Sequence, residues 1–145
     1  MLVPVSVEPI AYGTDDASFR AAGGEAGIRR LVEAFYRIMD VLPEARGIRA
    51  MHPADLAVSI DKLARFLCGW LGGPRRFQEK YGSISIPGVH RHLLVAAAER
   101  DAWLACMQRA IAEQPFADDF ERYLLEQLAV PAERIRQVCA EEHGL

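Results

Sequence analysis

Basic stretches, paired cysteines and long apolar runs are all scarce in this chain, and each scarcity removes a class of function. Net charge is -3 and no basic stripe is present, so nucleic acid is not an expected partner. The three cysteines, Cys68, Cys106 and Cys139, are odd in number and far apart. They suit neither a disulfide frame nor a zinc site, which needs close pairs, and read as reduced packing residues. No run approaches the length of a membrane span, and the N-terminus lacks the charged start and apolar run of a signal peptide. The expected location is the cytoplasm, with no membrane partner. A phosphate loop is missing too, since Gly72-Gly73-Pro74 follows a helical pattern and no Lys-Ser or Lys-Thr comes after it. Nothing in the spacing supports Ser-His-Asp or Cys-His catalysis. Strand patterns are lacking: Ser83-Ile84-Ser85-Ile86 alternates but is short and isolated.

What is there is helix. The 145 residues are 51% hydrophobic and 26% charged, the balance of one folded domain with a proper core. Residues 1–14, with Pro4 and Pro9, read as an extended arm before a single domain at 15–145. Asp15 to Ala21 allows one or two helical turns, closed by Gly23-Gly24. Ile28, Leu31, Val32, Phe35, Tyr36 and Met39 recur at steps of three and four, which predicts an amphipathic helix ended by Pro43. A short helical piece at Glu44 to Ala50 leads to His52-Pro53, where Pro53 is expected to open a helix running to about Leu71. That helix has two adjoining apolar faces and stops at Gly72-Gly73-Pro74. The next sixteen residues read as a loop ending in a short segment that carries His90. Two more helices are predicted. One spans Glu99 to Glu113, with Trp103, Met107, Ala110 and Ile111 inward; Asp118-Asp119 opens the other, which Pro131 kinks or splits. Glu141-Glu142-His143 reads as a fraying tail.

One feature resists an account as plain packing. Tyr36, Ser59, Trp103 and His52 place polar atoms on or beside faces otherwise built from Leu, Phe and Met. Each such group costs roughly 1–3 kcal/mol if buried without a partner. For any single one, a backbone carbonyl is the simpler partner. For Tyr36 and Trp103 together, facing an interior that also holds a histidine, a shared polar ligand is the alternative. A histidine on a short segment between apolar helices is also how a protein offers one imidazole nitrogen to a buried metal centre. His90 and His92 lie two residues apart, about 200° apart in direction on a helix, so only one can face a common interior.

The series Gly23-Gly24, Phe35-Tyr36, His52-Pro53-Ala54-Asp55-Leu56, Phe66-Leu67, Trp70, Gly72-Gly73-Pro74, His90 and Glu99-Arg100-Asp101-Ala102-Trp103-Leu104 resembles the group II truncated haemoglobins. The resemblance runs from about Ala17 to Ile111 and is most specific at Gly-Gly-Pro and Glu-Arg-Asp-x-Trp-Leu. It implies an all-α, truncated globin-like two-over-two helical sandwich around one haem b, with a histidine as the only protein ligand to iron. Carried over, it makes His90 the iron ligand and Tyr36 the distal hydroxyl donor. His52 takes the corner position, Ser59, Leu63 and Phe66 line the distal helix, and Trp103 supplies an indole N–H. Phe77, Tyr81 and Lys62 join the residues around the cofactor. His92 falls where the family has a proline.

The resemblance also exposes a departure. The family has basic residues just before the iron-binding histidine to pair with the haem propionates, whereas Ser85-Ile86-Pro87-Gly88-Val89 carries no charge. Lys62 is the first substitute, with Tyr81, Arg91, Arg65 and Arg76 behind it; for Arg65 and Arg76 a solvated surface role is the simpler account. The implied partners are dioxygen, nitric oxide or another small ligand, together with a reductant, in a monomer or homodimer. Strong donors in a dry pocket slow ligand release, which suits oxidising nitric oxide, reducing peroxide or sensing better than ferrying oxygen. Two rivals remain: a globin-fold interaction or sensor module with weak or no haem binding, and a plain helical protein whose His90 is structural.

Overall fold

The computed structural model describes residues 11–145. Most of the expected arm, residues 1–10, lies outside them; the part described packs on the domain, with the Tyr12 hydroxyl donating to Asp119 at 2.9 Å and its ring against Phe120 and Tyr123. The described residues form eight α-helices and no strand: α1 (Ala17–Ala21), α2 (Gly24–Val41), α3 (Arg46–Ala50), α4 (Ala57–Trp70), α5 (Arg76–Tyr81), α6 (Ile86–His90), α7 (Ala97–Ala112) and α8 (Asp118–His143), with a 3-10 turn at Pro43–Ala45. Helix α2 packs on α4 and α7, and α7 on α8, which is the two-over-two arrangement; the short α5 and α6 attach to α4 and α8. At its centre Ile28, Leu31, Val32 and Phe35 of α2 and Cys106, Met107 and Ala110 of α7 are fully buried, with Phe120 and Leu124 of α8.

The Gly-Gly-Pro stop has a tertiary reason. Gly72 turns at φ 92, and a Cβ there would lie 1.9 Å from the Asp15 carbonyl oxygen. At Gly73 a Cβ would meet the Phe19 ring at 2.3 Å, and the Phe19 N–H donates to the Leu71 carbonyl at 3.0 Å. Two bare glycines thus let α1 close down on the end of α4.

Four sequence expectations need correction. Helix α4 begins at Ala57, not Pro53. The residues between are held as a bend: Arg49 donates to the carbonyls of Pro53 and Ala54, and the Asp55 carboxylate accepts from the Ala57 N–H at 2.9 Å. The stretch after Pro74 is not all loop, because Phe77 and Tyr81, one turn apart, form the inner side of α5. Pro131 does not split the last helix, which runs unbroken through it. Its end does not fray either: His143 is helical and its Nε2 lies 2.9 Å from the Arg91 carbonyl oxygen.

Asp61 of α4 pins α5 in place. It accepts from Lys80 and Tyr81 of α5 at 2.9 and 2.7 Å, from Arg29 of α2 at 2.6 Å, and from Arg65 of its own helix. These donors, Lys80 and Tyr81 foremost, hold its carboxyl far below the usual carboxylate range. Asp61→Asn should cost about 1.5–3 kcal/mol at neutral pH, the range for hydrogen bonds to a charged group. A depressed folded pKa stabilises above the unfolded value, roughly 3.9, and the contribution fades as pH falls below it. Chemical denaturation at pH 7 and pH 3 checks this: the gap between wild type and variant should narrow at the lower pH.

Candidate functional site

Between the two layers lies a cavity of about 440 Å³, within the roughly 300–1,000 Å³ of pockets that take cofactor-sized ligands. Its lining is mostly apolar. Tyr36 enters from α2, and Met51 and His52 from the bend after α3. Helix α4 contributes Ser59, Lys62, Leu63, Phe66 and Trp70, and α5 contributes Phe77. His90 of α6 lines the cavity with Ile86 and Leu93, Trp103 comes from α7, and Leu128, Ala132 and Ile135 come from α8.

Each polar group at the cavity is set by its neighbours. The His90 Nδ1 lies 2.7 Å from the Ile86 carbonyl oxygen one turn back; a carbonyl only accepts, so Nδ1 carries the proton and the Nε2 lone pair is left free. Burial lowers the His90 pKa, with the Ile86 carbonyl opposing and His92 and His52 adding slightly, so the imidazole is kept neutral. His92 is exposed and outside the lining. His52 is fixed in the same way, its Nδ1 2.8 Å from the Ile48 carbonyl oxygen. Its ring meets Tyr36 edge to face at 5.5 Å. Burial pushes the Tyr36 hydroxyl up to about 12, so it remains a proton donor throughout the physiological range. Phe35 packs in T-shaped contact with both Tyr36 and Trp103. No fully enclosed polar side-chain atom among the described residues lacks a partner; the Tyr36 hydroxyl and Trp103 indole N–H, which bond to no described residue, open onto the cavity.

The cavity therefore brings together Tyr36, His52, Ser59, Lys62, Leu63, Phe66, Phe77, His90 and Trp103. Tyr81 stands apart. It is not in the lining, and its hydroxyl is committed to Asp61, while Lys62 Nζ sits 5.4 Å from its ring centre. Arg65 and Arg76 are taken up by Asp61 and by Glu25 with Glu79; Arg91 stands 3.8 Å from Glu142. Lys62, at the rim and exposed, forms no ion pair among the described residues. Sequence reasoning missed the wall formed by Leu128, Pro131 and Ala132 and the presence of Arg100, which pairs with Glu133 at 3.0 Å across the rim. Only the apolar period of α8 hinted at the first; the second left no local signal.

This donor set fits a haem. The cavity offers a neutral imidazole with its second nitrogen already bonded, hydroxyl and indole donors from other helices, and aromatic and aliphatic walls around them. Among the described residues no group of three or more His, Cys, Asp or Glu could hold a bare metal ion instead. Among the described residues no helix is long and apolar enough to cross a membrane. The three cysteines are free and buried, and burial pushes the Cys68 and Cys106 thiols up.

Comparison with known proteins agrees with the geometry. A family model described as bacterial-like globin matches residues 17–136. The group 2 truncated hemoglobin YjbI of Bacillus subtilis is 27% identical over 130 residues, which cover 89% of this chain and 96% of that one. A group II 2-on-2 hemoglobin of Agrobacterium tumefaciens superposes with a TM-score of 0.79 at 34% identity, covering 90% of this chain and 97% of the other. A cold-adapted truncated hemoglobin of the Antarctic bacterium Pseudoalteromonas haloplanktis TAC125 gives 0.78 at 28% identity, over 81% and 95%. The chain belongs to the bacterial-like globins, in their group II truncated, two-on-two form, and that family is one of haem-binding globins.

Proposed function

We propose that the protein holds one haem b through His90 Nε2 and retains a small diatomic ligand, dioxygen first, by hydrogen bonds from Tyr36 and Trp103. The observation that carries this is the pairing of one neutral, Nδ1-bonded histidine with two donors that open onto the same apolar cavity. The iron, when bound, supplies the ligand-binding and redox chemistry. The chain's own residues do the rest. Ile86 fixes the tautomer of His90, and the aliphatic walls exclude water. Tyr36 and Trp103 would donate hydrogen bonds to a small ligand in the cavity that carries partial negative charge. His52, through its ring contact with Tyr36, orients the phenol. Such a pocket keeps its ligand, which favours chemistry on it over transport: oxidation of nitric oxide or reduction of peroxide, with electrons from a separate reductant. We place this activity in the cytoplasm, in keeping with the free thiols.

The testing experiment is titration with haemin. Stoichiometric uptake, a Soret band and a rise in melting temperature are expected, because a ligand bound only to the folded state stabilises it. A colourless protein whose melting ignores haemin would leave the interaction-module reading standing.

Propionate anchoring falls to Lys62, since the segment before His90 is uncharged and Tyr81, Arg65 and Arg76 are committed elsewhere. An exposed pair of this kind is weak, so Lys62→Ala should speed haem transfer to an acceptor globin by less than about fivefold. An unchanged transfer rate would remove Lys62 from the role.

A further inference from the structure

Helix α6, which carries His90, has only five residues, too few to stand by itself. Its far side is open, with Gly88, Val89 and Arg91 exposed, and its packing neighbour is α8. A helix that ends at His90 leaves its last carbonyls without intrahelical donors. The His90 carbonyl accepts from the Leu93 N–H at 2.9 Å, and α8 adds a donor to it and one to the carbonyl of Arg91, the residue that follows the helix. The Cys139 thiol donates to the His90 carbonyl at 3.2 Å, and the His143 Nε2–H donates to the Arg91 carbonyl at 2.9 Å. Cys139 and His143 are four residues apart, one turn on a single face of α8, and their targets are consecutive carbonyls. Between them Glu142 reaches Arg91 at 3.8 Å. The imidazole itself is tied one turn back, to Ile86.

We propose that the last two turns of α8 are the mount of the iron-binding histidine: Cys139 and His143 are positioning residues that fix the backbone of His90 and hence the direction of its Nε2. This rests on the reading of His90 as the iron ligand. In a globin whose histidine-bearing helix is cut to little more than a turn, the rigidity that a long helix would supply by its own hydrogen bonds is supplied here by a neighbour. Groups in the outer shell of a metal site orient the ligand and tune its bond to the metal, so the effect of the mount is read at the iron–histidine bond.

The experiment uses the haem-loaded protein with Cys139→Ala, His143→Ala, the double change, and His143→Gln, which keeps an N–H donor. His143 is exposed near the helix end, so its variants leave the core intact should Cys139→Ala impair folding. The readouts are the iron–histidine stretching band of the ferrous, ligand-free protein by resonance Raman and the rate of haem transfer, with the melting temperature of the haem-free protein as control. His143→Ala and the double variant should shift the band to lower frequency and broaden it. Transfer should quicken about three- to tenfold, the equivalent of one hydrogen bond's net contribution. His143→Gln should restore the wild-type band. A band unmoved in His143→Ala and in the double variant, even with melting lowered, would overturn the mount and leave only a packing role. A wild-type protein that binds haem without any iron–histidine band would instead overturn the reading of His90.

Discussion

His90→Gly should strip the protein of its normal haem spectrum, and added imidazole should bring it back, while His92→Gly should look like wild type. The two histidines are close enough in sequence that spacing alone invites a slip of register. Their surroundings separate them. His90 lines the cavity, is kept neutral by burial, and has its Nδ1 proton on the Ile86 carbonyl; His92 is exposed and outside the lining. Loss of the ligand itself should exceed the roughly 10–100-fold in metal affinity that outer-shell partners command. Absorption spectra and haem-transfer rates, each taken with and without imidazole, check the expectation. Collapse and rescue confined to His92→Gly would re-register the whole segment.

Tyr36→Phe and Trp103→Phe should each accelerate dioxygen release about ten- to a hundredfold, the equivalent of a hydrogen bond to a charged acceptor. The phenol holds its proton because burial pushes its pKa to about 12, and neither donor is spent on a described protein partner. Phe35 packs against both rings, and both line the same cavity, so one ligand there would be within reach of both donors. Donors to one ligand form one network, so the double variant should fall short of the product of the single effects. Stopped-flow release after dithionite mixing measures this. Release rates unchanged in both single variants would remove the distal network, and additive effects would mean that the two groups act on the ligand separately.

The class of the fold was legible because helices announce themselves locally. Apolar residues at steps of three and four in α2 and α7, and the stop at Gly72-Gly73-Pro74, are short-range signals that burial of one face must produce. The inward direction of Tyr36, Ser59, Leu63, Phe66 and Trp103 followed from the same period, and all five line the cavity. The ends of elements were less legible. Pro53 satisfied the local rule for a first helical residue, yet Arg49 captures the carbonyls of Pro53 and Ala54 and holds the chain in a bend. Helix α5 was hidden because six residues carry too little pattern, and its place depends on Asp61, nearly twenty positions earlier.

By itself the sequence determined an all-helical domain, its apolar faces, and a histidine set against two polar aromatic groups, since all of these rest on residue type and helical period. Only the tertiary structure decided which cations remain at the cavity rim, because Asp61 of α4 draws in Lys80 of α5 and Glu25 of α2 draws in Arg76, partners distant in the chain, while Arg65 pairs with Asp61 within its own helix. It likewise decided that the last turn of α8 is helix rather than tail. The donors of Cys139 and His143 find their acceptors at His90 and Arg91, about fifty residues back, and no local pattern can encode a contact whose closure depends on the whole core being packed first.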